Sequence, residues 1–345
     1  MTRRGDWVWF DLENTPHVLF LEPLVRRVEA WGWAVRISAK PQAQTLDLAR
    51  HRRLPAEPVG TGDFVGFREK ILGGTARAFA LALWALRHGR PALLISSSRS
   101  ASLAAWLLRV PGVGLLDYEH SEKRTLALNA ALWLPDLLRD VLLGGRARRV
   151  ARFYPGLKEN LYLDAWPVDR DAERQRLRIT VGQYLVVARP AADTAHYQHD
   201  ESARLWMAAV RGLDQRPGVR IIVVSRTGAQ RASLRTSLSG CRNVELLEQA
   251  VSGPALVSAA DLVLGGGGTM NREAAVLGVL AWSTFCGPPP AIDEQLAREG
   301  WLRWLRTDEE VAGALADPLP GLQERRGPFP GGLDAITADI QARLG

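Results

Sequence analysis

The chain has 345 residues, 47% apolar and 23% charged, a composition that excludes intrinsic disorder and a length beyond what one core usually supports, so two domains are expected. Its net charge of +7 rests on 40 arginines and four lysines, Lys40, Lys70, Lys123 and Lys158, and such a surface suits phosphorylated ligands, anionic lipid headgroups or nucleic acid. Cys241 and Cys286 are too few and too far apart for a disulfide framework, which fits a reduced, cytoplasmic protein.

In chain order, Trp7–Phe10 reads as a first strand. Asp11 stops that apolar stretch far short of a signal-peptide core. A helix over 18–31, a strand over 34–38 and a helix over 42–51 continue a βαβ rhythm. A long helix follows over 67–87, whose apolar stretch Ala78–Leu86 lies between Arg77 and Arg87 and is too short for the ~20 residues that span a bilayer. Next come a strand over 92–96, a helix over 100–109, a strand over 113–116, a helical stretch over 121–143 and a strand over 150–153. Near-continuous apolar strands separated by crossover helices imply a parallel sheet covered on both faces.

The charged, Pro167-containing segment 163–177 breaks the rhythm and marks a boundary. The rhythm then restarts with strands over 184–188, 219–225, 243–247 and 261–264 and helices over 201–213, 229–238 and 254–260. The domains predicted are 1–165, 166–330 and a terminal helical segment, 331–345. Both halves read as doubly wound α/β units. Ligands of such sheets bind beyond the carboxyl ends of the strands, so two halves facing one another would form an interdomain cleft.

Gly265, Gly266, Gly267 and Gly268 fall on the turn between the last of these strands and a helix over 269–277. Glycine there lets backbone approach a ligand, and the positive end of the new helix, which Thr269 can cap, faces an anion; a tight turn that tolerates no side chain is the plainer reading. Met270 stands where the last glycine of a dinucleotide fingerprint belongs, which favours another nucleotide diphosphate. Glu273, one helical turn on, can accept ribose hydroxyls. Asp293 and Gln295, after the stiff Pro288-Pro-Pro290 loop, can read sugar hydroxyls, and Arg189 and Arg226, at strand ends, can meet phosphate. In the first half, His17 lies after the first strand and can take a proton from a hydroxyl, with Asp11 and Glu13 beside it. Glu119 and His120, in the Asp117–Glu122 cluster after a later strand, can bind an acceptor or share acid–base work. No metal-ligand spacing or nucleophile elbow is present. The basic run Arg146–Arg152 reads as a solvated face or a lipid-headgroup contact.

The stretches Asp11–His17, Leu116–His120, Phe153–Glu159, Ala188–Pro190 with Ala195–Tyr197, and Gly267–Ala275 together resemble an uncharacterised prokaryotic family with a domain-of-unknown-function label, itself similar to GT-B glycosyltransferases. More distantly the chain resembles the peptidoglycan N-acetylglucosaminyltransferase that builds lipid II and the non-hydrolysing UDP-GlcNAc 2-epimerases. The transferase's glycine-rich first loop is Glu13-Asn-Thr-Pro16 here. The resemblance implies an α/β, GT-B-like protein of two Rossmann-type domains, in which Gly266–Thr269 and Glu273 hold the donor. The activity expected is cofactor- and metal-independent transfer of a sugar from a nucleotide-diphosphate donor, UDP foremost, to a glycan or lipid-linked acceptor in cell-surface polysaccharide synthesis. The alternatives are a sugar-nucleotide 2-epimerase and a non-enzymatic anionic-ligand binder. No nucleic-acid partner is expected, and the location expected is cytoplasmic, with peripheral contact at the inner face of the membrane.

Overall fold

The computed structural model describes residues 5–42, 44–61, 67–120, 123–140, 145–167, 169–191, 197–225, 227–248, 253–322 and 331–345. The chain divides into two compact units, Met1–Tyr162 with Phe329–Gly345, and Leu163–Pro328.

In the first unit the strands are β1 (Trp7–Leu12), β2 (Ala34–Ala39), β3 (Ala56–Pro58), β4 (Leu93–Ser96), β5 (Gly112–Leu115), β6 (Ala131–Pro135) and β7 (Ala151–Tyr154). Between them run α1 (Thr15–Ala30), α2 (Thr45–His51), α3 (Phe67–Arg87), α4 (Arg99–Leu107), α5 (Lys123–Leu126) and α6 (Gly145–Val150), and α7 (Asn160–Leu163) follows. The sheet order is β3-β2-β1-β4-β5-β6-β7 with parallel pairing throughout. Strand order reverses between β1 and β4, where Asp11 pairs with Ser96, and this switch point is where open α/β sheets take ligands.

The second unit comprises α8 (Arg170–Arg176), β8 (Tyr184–Arg189), α9 (Tyr197–Asp214), β9 (Val219–Val223), α10 (Gly228–Ser237), β10 (Val244–Leu246), α11 (Gly253–Ala259), β11 (Leu262–Gly265), α12 (Thr269–Leu277), β12 (Leu280–Ser283), α13 (Ala291–Arg298), β13 (Leu302–Trp304) and α14 (Asp308–Ala316). Its parallel sheet has the order β10-β9-β8-β11-β12-β13, and Gly265 pairs with Arg189 at the switch point. The terminal helix α15 (Gly332–Leu344) packs on α1 and β7 of the first unit, where Asp339 accepts from Trp133 Nε1 at 3.0 Å and Asp334 pairs with Arg27 at 3.1 Å.

Two sequence expectations change. The stretch 121–143 is not a long helix, because Ala131–Pro135 is the wholly buried strand β6; a short apolar run looks alike in a buried helix and a central strand. Helix α1 starts at Thr15, not at 18. Asn14, in extended backbone, is its N-cap, and Pro16, which lacks an N–H the first turn does not need, sits just inside, so His17 belongs to the helix rather than to a loop. The charged segment read as a boundary contains α8, whose Arg170 and Arg174 grip Asp261 at 2.5 and 3.0 Å, while the Leu185 N–H donates to the same carboxylate at 2.7 Å, which fastens α8 to the start of the two central strands.

Candidate functional site

Polar groups gather at the switch point of each sheet. In the second unit the four glycines serve two distinct needs. A Cβ on Gly265 would lie 2.1 Å from Asn271 Oδ1, and one on Gly266 would lie 2.3 Å from the backbone nitrogen of Ala191, so these two are glycine because neighbours occupy the space. Gly267 and Gly268 are glycine because their φ values, 95° and 96°, are left-handed; beside Gly268 a Cβ would meet nothing within 4 Å. Thr269 does not cap α12. It is the first helical residue, and the N-cap is Gly268, which has no side chain to satisfy the leading N–H groups. The helix therefore opens with its donors uncapped beside the exposed Gly268.

Around this turn lie buried polar atoms without hydrogen-bond partners among the described residues: Asn271 Oδ1 and Nδ2, Ser283 Oγ, Thr284 Oγ1 and Arg189 Nε. Most buried polar groups in a folded protein are paired, and each exception asks for an explanation. Burial lowers the pKa of Arg189, opposed by the field of Glu273. Glu273 is 4% exposed rather than a solvated helix charge. Asp293 is not a free reader of hydroxyls: Arg272 Nε donates to its Oδ1 at 2.8 Å inside the unit, which leaves only Oδ2 without a partner among the described residues. Gln295 is turned along α13, where its amide donates to Glu299 Oε1 at 2.8 Å. Arg226 lies outside the described residues, as do Ser121, Glu122 and His196 of the motifs above.

In the first unit, Asp11 is fully buried and engaged on both oxygens. Arg77 Nη2 donates to Oδ1 at 2.7 Å and Nη1 to Oδ2 at 3.1 Å, and Ser38 Oγ donates to Oδ1 at 2.6 Å. Such a carboxylate anchors the end of β1 and is not available as a base. Arg77 also reaches Ser98 Oγ at 3.0 Å, and Ser98 caps α4 through the Ala101 N–H. Burial opposes the charge of Arg77, yet Asp11 and Glu13 together raise its pKa. Glu13 shifts upward chiefly by desolvation, against the pull of Arg77.

His17 is 8% exposed, and its Nδ1 accepts the Glu13 backbone N–H at 3.2 Å. The neutral ring then carries its proton on Nε2. Burial first, and the Lys158 charge second, bring its pKa down to about 4. The imidazole thus presents a donor. Acting as the expected base at Nε2 would require giving up the Glu13 bond. Lys158, 7% exposed, donates to Asp117 Oδ2 at 2.6 Å and stands 5.1 Å over the Phe20 ring, which itself lies edge-on to His17. Glu119 is largely covered, with Oε1 3.7 Å from Nε2 of the exposed His120.

Arg77 lies outside every motif, and Asp117 and Lys158 lie inside quoted motifs without being singled out. A signal for Lys158 existed: where arginine supplies 40 of 44 basic residues, a lysine stands out. Among the described residues no group of three or more His, Cys, Asp or Glu is placed to hold a metal, and no helix is long and apolar enough to cross a membrane.

A family model described as "Protein of unknown function (DUF354)" matches residues 7–317. An uncharacterized protein of Methanocaldococcus jannaschii is 22% identical over 327 residues, 90% of this chain and 91% of that protein. Among solved structures, UDP-GlcNAc 2-epimerase from Methanocaldococcus jannaschii in complex with UDP-GlcNAc and UDP is similar with a TM-score of 0.70 at 14% identity, covering 98% of this chain and 99% of that one. The spinosyn forosaminyltransferase is similar with a TM-score of 0.60 at 16% identity, covering 98% and 95%. The likeness shows a GT-B-like fold of two Rossmann-like parallel-sheet units.

Proposed function

The chain belongs to the DUF354 family of proteins of unknown function, and on that premise we propose that it is a nucleotide-sugar enzyme, a transferase that moves a sugar from a nucleotide-diphosphate donor, UDP foremost, to a hydroxyl acceptor. One observation carries the reading. At the switch point of the second sheet, an uncapped helix N-terminus follows two left-handed glycines and lies beside buried polar atoms that find no hydrogen-bond partner among the described residues. An anion there meets backbone N–H groups and the positive end of α12. Arg189 offsets the charge that develops on a leaving diphosphate, which lets a dipole and a guanidinium do what a metal does elsewhere. Glu273 accepts from the ribose. That the similar Methanocaldococcus jannaschii epimerase was solved with UDP-GlcNAc and UDP supports uridine nucleotides as first probes.

Thermal shift tests the reading. A ligand at a hundred times its Kd stabilises the native state by about 3 kcal/mol, which raises the melting temperature of a chain this size by several degrees. UDP and UDP-sugars are expected to do so and uridine is not, because only the diphosphate engages the helix end. Equal, absent shifts for all three overturn the proposal.

A second reading, sugar-nucleotide 2-epimerase, is favoured by Glu13, a desolvated carboxyl of raised pKa beside the His17 donor, since inversion at carbon needs groups that remove and return a proton. Incubation with UDP-GlcNAc and no acceptor separates the two: a changed configuration at the sugar C2 marks an epimerase.

A further inference from the structure

We propose that the outer face of α3 and α4 is a docking surface for a membrane that carries anionic lipids. The observation is an apolar face that the fold does not use. Leu72, Phe79, Leu83 and Leu86 are 71%, 58%, 59% and 55% exposed, and their spacing of seven, four and three residues puts them on one side of α3. On the neighbouring helix Trp106 is 50% and Leu107 43% exposed. Six of the nine large apolar side chains exposed among the described residues lie on these two helices. The opposite side of α3 is complete without them: Ala78, Leu81, Ala82, Trp84 and Ala85 are buried with Trp7, Trp9 and the alanines 101, 104 and 105 of α4. A helix apolar all round is normally covered on both sides.

Charge identifies what covers this one. From Ile71 to Leu116 the sequence has five arginines and no aspartate or glutamate. Arg77 is turned inward to Asp11, but Arg87, at the end of α3, and Arg99 and Arg109, flanking α4, are exposed around the apolar strip. Apolar and aromatic side chains rimmed by these arginines, with the nearby Glu57 engaged by Trp84 and His88, match the boundary between acyl chains and anionic headgroups, where Trp106 places its ring in hydrocarbon and its N–H in the polar layer. A second copy of the chain fits poorly, because a two-fold contact would set these arginines against one another with no counter-charge from the same segment. As no helix among the described residues can cross a bilayer, the contact is peripheral. It does not depend on the nucleotide reading, although a lipid-linked acceptor would be reached at such a surface.

Co-sedimentation of the full chain with vesicles tests the inference. Binding is expected to vesicles of equal parts phosphatidylglycerol and phosphatidylcholine, weakened by salt, with little binding to phosphatidylcholine alone. Removing two charges in Arg87→Gln/Arg99→Gln is expected to weaken it about 25-fold, about fivefold for each arginine. Phe79→Glu/Leu83→Glu is expected to abolish it with an unchanged melting temperature, since both side chains are exposed, and with an unchanged response to UDP, which keeps this test apart from that of the nucleotide site. No binding to the anionic vesicles, equal binding to both kinds, or undiminished binding by the glutamate variant overturns the proposal. So does a wild-type dimer in light scattering that ignores vesicles and becomes monomeric in the glutamate variant, an outcome that assigns the face to a second copy.

Discussion

Acidification probes the His17 environment directly. The ring has an ordinary pKa of 6.5 when the chain is unfolded and about 4 in the folded protein, because burial and then Lys158 disfavour the cation. Between those values the unfolded state binds more protons, so stability contributed by the neutral ring is complete above about pH 6.5 and is lost as the pH falls through that window towards 4. The whole gap is worth about 3 kcal/mol, and about 2 kcal/mol of it is gone by pH 5. Glu13 works with the opposite sign: its pKa is raised from 4.5, so its contribution is present at low pH and lost as the pH rises through the shifted value. The two overlap, and a single stability curve does not separate them. His17→Gln does, since it keeps an acceptor for the Glu13 N–H and does not titrate. Urea unfolding of wild type and variant at pH 7.5, 6 and 5 is expected to show the wild type losing about 2 kcal/mol more than the variant over that range. Nitrogen NMR of the ring gives the microscopic check: one proton, on Nε2, unchanged down to pH 5. Titration of His17 near 6.5, or a proton on Nδ1, refutes both the buried environment and the donor role.

Two further outcomes follow from the geometry. Gly266→Ala drives a Cβ into backbone at residue 191 and is expected to destabilise the second unit by 3 kcal/mol or so, whereas Gly268→Ala, with open space around it, carries only the left-handed backbone cost of about 1–3 kcal/mol and is expected to lose UDP binding with a smaller loss of stability; differential scanning calorimetry with and without UDP separates these, and equal melting temperatures for the two variants contradict the division of the glycines. Asp11→Asn leaves Arg77 charged inside the first unit and is expected to cost about 3–5 kcal/mol in urea unfolding, and a variant as stable as wild type would return Asp11 to the acid–base candidates.

The sequence makes some of this visible and hides the rest for physical reasons. Strand–helix alternation carried the α/β reading, since apolar runs and turn residues act locally. It failed where a local signal is ambiguous, as at Ala131–Pro135, and where a helix start is written in capping chemistry, as at Asn14-Thr15-Pro16. The acidic residues after β1 were conspicuous, but their division of labour was not: Asp11 is taken by a guanidinium 66 positions away on α3, and Glu13 is left with a raised pKa, a difference that only tertiary packing creates. Likewise Asp293 reads as a loop carboxylate until Arg272 is seen bound to it.

The glycine run shows the same limit from the other side. Four identical letters cover a steric demand at Gly265 and Gly266 and a conformational one at Gly267 and Gly268, and only Gly268 has open space beside it, since a Cβ on Gly267 would lie 3.3 Å from Phe285. A tight turn alone would explain the first pair. It would not explain Asn271, whose amide fills the space that a side chain on Gly265 would take yet finds no hydrogen-bond partner among the described residues, next to the equally partnerless Ser283, the strand neighbour of Gly265. Folding alone favours an apolar residue of similar volume at such a position, because a desolvated amide without a partner costs about 1–3 kcal/mol. On the nucleotide reading proposed above, these polar atoms and the uncapped N–H groups of α12 are kept for a bound anion, which a tight turn alone would not require.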